Sequence, residues 1–322
     1  MDFELTSDQV DLQQGMRSFV EGRFPIDFVR GIEDGGGRLD RARWQELGET
    51  GVFSLRLPES DGGLELGVSE AVLVFEELGR ALVPGPLVAS HLAAELIPEA
   101  ATGEQIVGIL EPSEPVLMIE YFDDLDVLLV LTDDGVRRVD PVALATQVVD
   151  RPLDPLSPAR VVTSAVPDGE LLAGPEVAQR WMLVGAVLTA GLQAGIADRT
   201  VELATEYAKE REQFGRAIGS FQAIKHLIAD MFVKASVARA GVESAACALD
   251  GRSDDDPVRA ASSAKIMADE AARFCARTCI QVHGGIGYTW EVDVQRFWKR
   301  ACVLDTHFGS VDAHAEVVAS TL

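Results

Sequence analysis

Two short stretches of this chain hold the residue types that can grip a charged ligand. The first, Tyr207 to Met231 (YAKEREQFGRAIGSFQAIKHLIADM), places Arg211 and Gln213 at the end of one helical run, breaks at Gly215 and starts another near Ser220. Helix ends leave backbone groups unsatisfied, an arginine there can fork onto a diphosphate, and Phe214 offers a ring face. A solvated charged helix end followed by a core phenylalanine accounts for the same letters. The second, Cys279 to Arg300 (CIQVHGGIGYTWEVDVQRFWKR), sets Gly284, Gly285 and Gly287 directly after a helix. Glycine there accepts positive φ and lets a ligand or another backbone come close. No strand precedes it, so it is not a GxGxxG dinucleotide fingerprint, and a plain helix C-cap also explains it.

The elements that position these stretches follow from periodicity. From Thr6 to about Ala101 apolar residues recur at helical spacing, as in Leu12, Met16, Phe19 and Val20, and around a mixed face at Leu73, Val74, Glu77 and Leu78. Gly35-Gly36-Gly37, the PESDGG turn at Pro58 to Gly63, and Pro84-Gly85-Pro86 interrupt it, and Ser7 is suited to cap the first helix. Between Gly108 and Ala173 short apolar runs (VLMIEYF, VLLVLT) alternate with DDG and PDG turn chemistry, which reads as strands. Helical spacing returns in Val177 to Arg211, Phe221 to Leu249 and Pro257 to Val282, with a short fourth stretch from Val311 to Ala319. Asp256-Pro257 reads as an N-cap and first-turn pair. The expectation is a mostly α chain with a small β domain: an N-terminal helical domain (1–107), a reduced middle β domain (108–174) and a C-terminal four-helix bundle (175–322).

Composition narrows the partners. With 28 Lys and Arg against 52 Asp and Glu, the formal charge is -24, and such a field repels nucleic-acid backbones and anionic membranes. A phosphate-bearing coenzyme is not excluded, because local amides and arginines decide its binding. Cys247, Cys275, Cys279 and Cys302 lack metal-ligand spacing and read as reduced core residues, so no metal is expected. The N-terminus MDFELTSDQV shows no signal-peptide pattern, and no apolar run reaches the roughly 18 residues of a membrane span. Cytoplasmic location is the expectation.

Together the two stretches resemble the acyl-CoA dehydrogenase family, whose C-terminal bundle carries ER-x-QFG-x-x-I-x-x-FQ and then Q-x-x-GG-x-GY. The segments WQELGETGVFSLRLPESDGG and VFEELGRAL are similar to that family's first helical domain. The resemblance implies FAD bound at a subunit interface, its adenosine diphosphate half gripped by the neighbouring bundle. Arg211 would then bind the pyrophosphate and Phe214 would pack on the flavin, while Gln213, Gln222, Gln281, Gly284 and Gly285 line the channel. His283 reads as structural.

The chain also departs from that family. Removing a thioester α-proton needs a base within hydrogen-bond reach, and the family's base is a glutamate at one of two places. Alignment puts Phe308, ahead of Gly309 and Ser310, at the first and Gly185 at the second; neither accepts a proton. Only residues 108–173 are left for the middle domain, where the flavin-holding T-E-P-x-A-G-S-D loop and W-I-T segment are missing and Glu111-Pro112-Ser113 is a faint echo. The resemblance therefore implies a heteromer, α2β2, in which a longer acyl-CoA dehydrogenase subunit supplies the flavin barrel, the glutamate and most of the CoA thioester site. An electron-transfer flavoprotein is the implied acceptor. Short subunits of this kind resemble actinobacterial dehydrogenases of steroid-derived CoA thioesters. Two other readings stay open: an autonomous dehydrogenase that uses Asp305, beside His307, as a relocated base, and a scaffold without redox chemistry.

Overall fold

In the computed structural model, residues 5–112 and 116–321 are described; Ser113 and the first four residues lie outside them. The chain opens with helices α1 (Ser7–Arg23), α2 (Ile26–Asp34), α3 (Arg41–Glu49), α4 (Val68–Arg80), α5 (Leu87–Ala93) and α6 (Pro98–Ala101). Strands β1 (Val107–Leu110), β2 (Met118–Glu120), β3 (Val127–Thr132), β4 (Gly135–Val139), β5 (Thr146–Val148), β6 (Ala159–Val162) and β7 (Glu170–Ala173) come next. Helix α7 (Pro175–Glu210), the hairpin strands β8 (Glu212–Gln213) and β9 (Arg216–Ala217), then α8 (Gln222–Leu249), α9 (Pro257–His283), α10 (Val294–Leu304) and α11 (Val311–Ser320) complete it. The mostly α reading with a small β region holds.

Local chemistry explains most boundaries. The first helix is capped one residue earlier than expected: Thr6 Oγ1 accepts from the Gln9 amide (3.2 Å) and Gln9 Oε1 from the Thr6 amide (3.0 Å), a reciprocal capping box. Ser7 is already helical. At α9, Asp256 accepts from the Arg259 amide (2.8 Å) with Pro257 in the first turn, as the sequence predicts. Helix α10 was not anticipated as a separate element. One further expectation is corrected. An 18-residue window in α7 is apolar enough to cross a membrane by composition, but 83% of that window is buried within the protein.

The chain forms two compact units that interleave along the sequence. One contains Arg23–Ala71 and Pro84–Gly185. Its four-stranded sheet runs β1-β3-β4-β7, with β1 and β3 parallel and the rest antiparallel, and a second sheet runs β2-β6-β5. Leu110, Ile119, Leu128, Val130, Val139 and Leu144 form a core within this β region.

The other unit contains the chain up to Gly22, Val72–Val83, and everything from Ala186 onward. Its core is rich in small residues: Ala197, Ala204, Ala208, Ala235, Ala238 and Ala271 pack with Met231, Cys275 and Cys279. Small side chains let helices approach closely. The approach is tightest where α4 meets α7: a Cβ at Gly195 would invade the carbonyl oxygen of Glu76, and one at Gly79 the carbonyl oxygen of Leu192. The reciprocal glycines therefore set the spacing of these helices.

Candidate functional site

The C-terminus of α7, the β8–β9 hairpin, the start of α8 and the end of α9 enclose a cavity of about 450 Å³. Arg211, Gln213, Phe214, Gly284 and Gly285 line it, joined by Tyr207 and His283. Gln222 and Gln281, also expected there, are exposed and do not line it.

The hairpin has a two-residue turn in which Phe214 (φ 53°) and Gly215 (φ 76°) both adopt positive φ, the geometry of a type I′ turn. Glycine takes that conformation freely, whereas a bulky residue is strained there, typically by about 1 to 3 kcal/mol. The Phe214 ring stands at the tip of this turn. It is 92% exposed, with Phe221 meeting it edge-on at 6.0 Å between centroids. Such an apolar ring at a strained tip is suited to being covered by something that is not this chain.

Arg211 sits beside it. Its amide donates to the Tyr207 carbonyl (2.8 Å) and its carbonyl accepts from the Ile218 amide (2.8 Å), so the backbone is tied while the side chain stays exposed. Across the cavity α9 stops at Gly284, whose φ of 67° and ψ of -144° suit glycine. A Cβ at Gly284 or Gly285 would meet nothing within 4 Å, so neither glycine is required there by packing, and the bare backbone is open to close approach. A guanidinium, an exposed ring and accessible backbone are the furniture of a site for a phosphate-bearing aromatic cofactor. The residues present thus fit the diphosphate end of FAD.

His283, the last residue of α9, stacks on Tyr207 with centroids 4.1 Å apart and planes 19° apart. Its Nδ1 lies 2.8 Å from the Cys279 carbonyl oxygen. Burial holds its pKa below the usual range, opposed by that hydrogen bond.

The segment around Phe308 is closely anchored. Phe308 is buried (4% exposed) with φ 54°. His314 donates from Nε2 to the Phe308 carbonyl (2.9 Å) and accepts at Nδ1 from the Ser262 hydroxyl (3.1 Å). Lys265, wholly buried, donates from Nζ to Asp269 Oδ2 (2.7 Å) and to the carbonyls of Leu304 (3.2 Å) and Asp305 (3.1 Å). Gln193 completes this network by donating to Asp269 Oδ1. Asp305 is engaged as well, by Arg273 at 2.9 Å. The Arg273 contact occupies an oxygen of the Asp305 carboxylate, and that weighs against Asp305 as a relocated base. Gly185 lies buried within α7.

The two helical regions match known family domains. The acyl-CoA dehydrogenase N-terminal domain model matches residues 6–112 and the C-terminal domain model residues 173–322. The chain belongs to the acyl-CoA dehydrogenase family, oxidoreductases that act on CH–CH bonds. Acyl-CoA dehydrogenase IpdE2 of Mycolicibacterium smegmatis is 32% identical over 300 residues, spanning 90% of this chain and 91% of the relative. Among solved structures, a Tcur3481-Tcur3483 steroid acyl-CoA dehydrogenase matches with a TM-score of 0.83 at 24% identity, covering 97% of each chain. The ChsE4-ChsE5 complex from Mycobacterium tuberculosis matches with 0.84 at 23%, covering 99% of this chain and 98% of that one. At these identities the structural likeness speaks to fold.

Proposed function

We propose that this chain is the short subunit of an α2β2 acyl-CoA dehydrogenase, completing the FAD site of a longer partner that supplies the catalytic glutamate. The observation that carries this reading is the pairing of a solvent-facing grip (Arg211, Phe214, Gly284, Gly285) with a buried phenylalanine, Phe308, at an expected base position. Bound FAD would accept the hydride equivalent leaving the substrate β-carbon. Arg211 would counter the pyrophosphate charge, and Phe214 would lie against the flavin and shield it from water. Gly284 and Gly285 would admit the diphosphate against bare backbone, with Gln213, Gln222 and Gln281 offering amides along the adenosine side. A symmetric assembly then holds one FAD per pair of chains. The solved relatives named as two-chain assemblies, one of them a steroid dehydrogenase, support a heteromer acting on a bulky, steroid-derived CoA thioester, with an electron-transfer flavoprotein as acceptor.

Co-expression with a longer acyl-CoA dehydrogenase chain that carries the family's catalytic glutamate tests the reading. A yellow complex with one FAD per two chains, colourless protein from this chain alone, and FAD loss on Arg211→Ala are the expected results. Stoichiometric FAD and thioester oxidation by this chain alone would overturn it in favour of an autonomous enzyme. An Arg211→Ala complex with full FAD content would remove the proposed grip.

A further inference from the structure

We infer that His283 is a positioning residue of the nucleotide pocket, presenting Nε2 as a fixed hydrogen-bond acceptor to a donor group of the adenosine moiety. The inference rests on the reading of that pocket as an FAD half-site, and it gives His283 a task beyond the structural one expected from sequence.

Three observations carry it. First, the Cys279 carbonyl oxygen at 2.8 Å can only accept, so Nδ1 bears the ring proton and Nε2 of the neutral ring bears the lone pair. Second, the parallel stack on Tyr207 covers one ring face and fixes the ring plane. The Tyr207 hydroxyl in turn reaches the His283 carbonyl at 3.5 Å. Third, His283 lines the same cavity as Arg211, which lies just past the end of α7, its amide bonded to the Tyr207 carbonyl. Tautomer, plane and location are thus all specified for a side chain that a plain helix terminus does not need.

The pairing also orients the ligand. A diphosphate offers only acceptors and belongs against the Arg211 guanidinium. The groups of the same molecule that can donate are the ribose hydroxyls and the adenine amino group, and one of these is what a fixed acceptor would select. The nucleoside end is therefore assigned to the Tyr207–His283 side of the pocket, and the diphosphate to the space between Arg211 and the bare backbone of Gly284 and Gly285.

Binding of ADP to the full chain by titration calorimetry tests this, with 2′-deoxy-ADP, 3′-deoxy-ADP and purine riboside diphosphate separating the two ribose hydroxyls from the amino group. His283→Phe keeps a ring for the Tyr207 stack and removes the acceptor. Wild type is expected to lose roughly three- to tenfold affinity with one of the analogues. His283→Phe is expected to lose as much with ADP and nothing further with that analogue, and His283→Gln to restore part of the discrimination. Equal ADP affinity in wild type and His283→Phe, or undiminished analogue discrimination in the variant, overturns the inference. If Arg211→Ala leaves ADP affinity unchanged, or if no saturable binding occurs, the half-site reading falls with it. A loss on Arg211→Ala without any effect at His283 sinks the His283 assignment alone.

Discussion

Glu76→Gln is expected to stabilise the protein at neutral and alkaline pH while leaving it nearly unchanged near pH 5. Glu76 lies on α4 and is 1% exposed, and its Oε1 is buried with no hydrogen-bond partner among the described residues. Its Oε2 receives a hydrogen bond from Gln13 Nε2 (3.3 Å) and faces Arg239 Nε at 3.7 Å. Burial pushes this carboxyl from 4.5 up to about 8; Arg239 and Arg80 oppose the shift, and Glu243 and Glu77 reinforce it. The sign follows from proton counts. Between pH 4.5 and 8 the unfolded chain has released this proton and the folded chain retains it, so stability falls as pH rises. At pH 7 the cost is roughly 3 kcal/mol, at about 1.4 kcal/mol per pH unit above the unfolded value. Glutamine keeps the shape and the Gln13 contact, carries no charge, and removes that dependence. Urea melts of both proteins at pH 5, 6, 7 and 8 should diverge progressively. A difference that stays constant over this range would mean that Glu76 is ionised throughout and that Arg239 compensates it fully.

Lys265→Met leaves Asp269 buried without its cation and should destabilise by about 3 to 5 kcal/mol, with most of the loss recovered in Lys265→Met/Asp269→Leu; thermal melts of the single and double variants check both. Burial raises the Cys275 and Cys279 thiols to about 12, so mass spectrometry after iodoacetamide treatment of the folded protein should show label at the half-buried Cys247 or Cys302 first. Rapid labelling of Cys275 would contradict its packing. Asp305→Asn should leave kcat of the assembled enzyme unchanged, whereas a fall of about a hundredfold or more would make Asp305 the base.

What was legible in the sequence was local in the chain. The candidate site comes from one helix end, one two-residue turn and one glycine-ended helix, each encoded within a few consecutive letters. Five of the seven expected cofactor residues consequently share one cavity. Long-range features gave no such signal. Glu77 reads as part of a mixed helical face, yet it is 1% exposed and takes a bidentate pair from Arg17 at 2.7 and 2.8 Å. Glu76 next to it has its ionic partner on α8, far along the chain. No periodicity reveals which surface-type residues are covered by distant helices. The same limit applies to β1, whose parallel pairing with β3 bypasses the intervening β2. The cap shift from Ser7 to Thr6 is subtler, because both residues can cap and only Thr6 has Gln9 three positions on to reciprocate.

On the proposed reading, the segment around Phe308 accounts for how a chain of this family keeps its fold without a base at that position. Its anchors are Lys265 on the carbonyls of Leu304 and Asp305, Arg273 on the Asp305 carboxylate, and His314 on the Phe308 carbonyl. Three of these four contacts engage backbone, and none involves the side chain at position 308. These four contacts therefore do not depend on a carboxylate at that position. Burying a phenylalanine there contributes about 1.5 to 3 kcal/mol, offset in part by the positive φ. A glutamate in the same place would instead be desolvated, at a cost that only catalysis repays. Once a partner supplies the proton acceptor, stability favours the aromatic residue, while nothing in that exchange bears on Arg211 and Phe214. On the proposed reading, those two persist because the partner's cofactor still needs them.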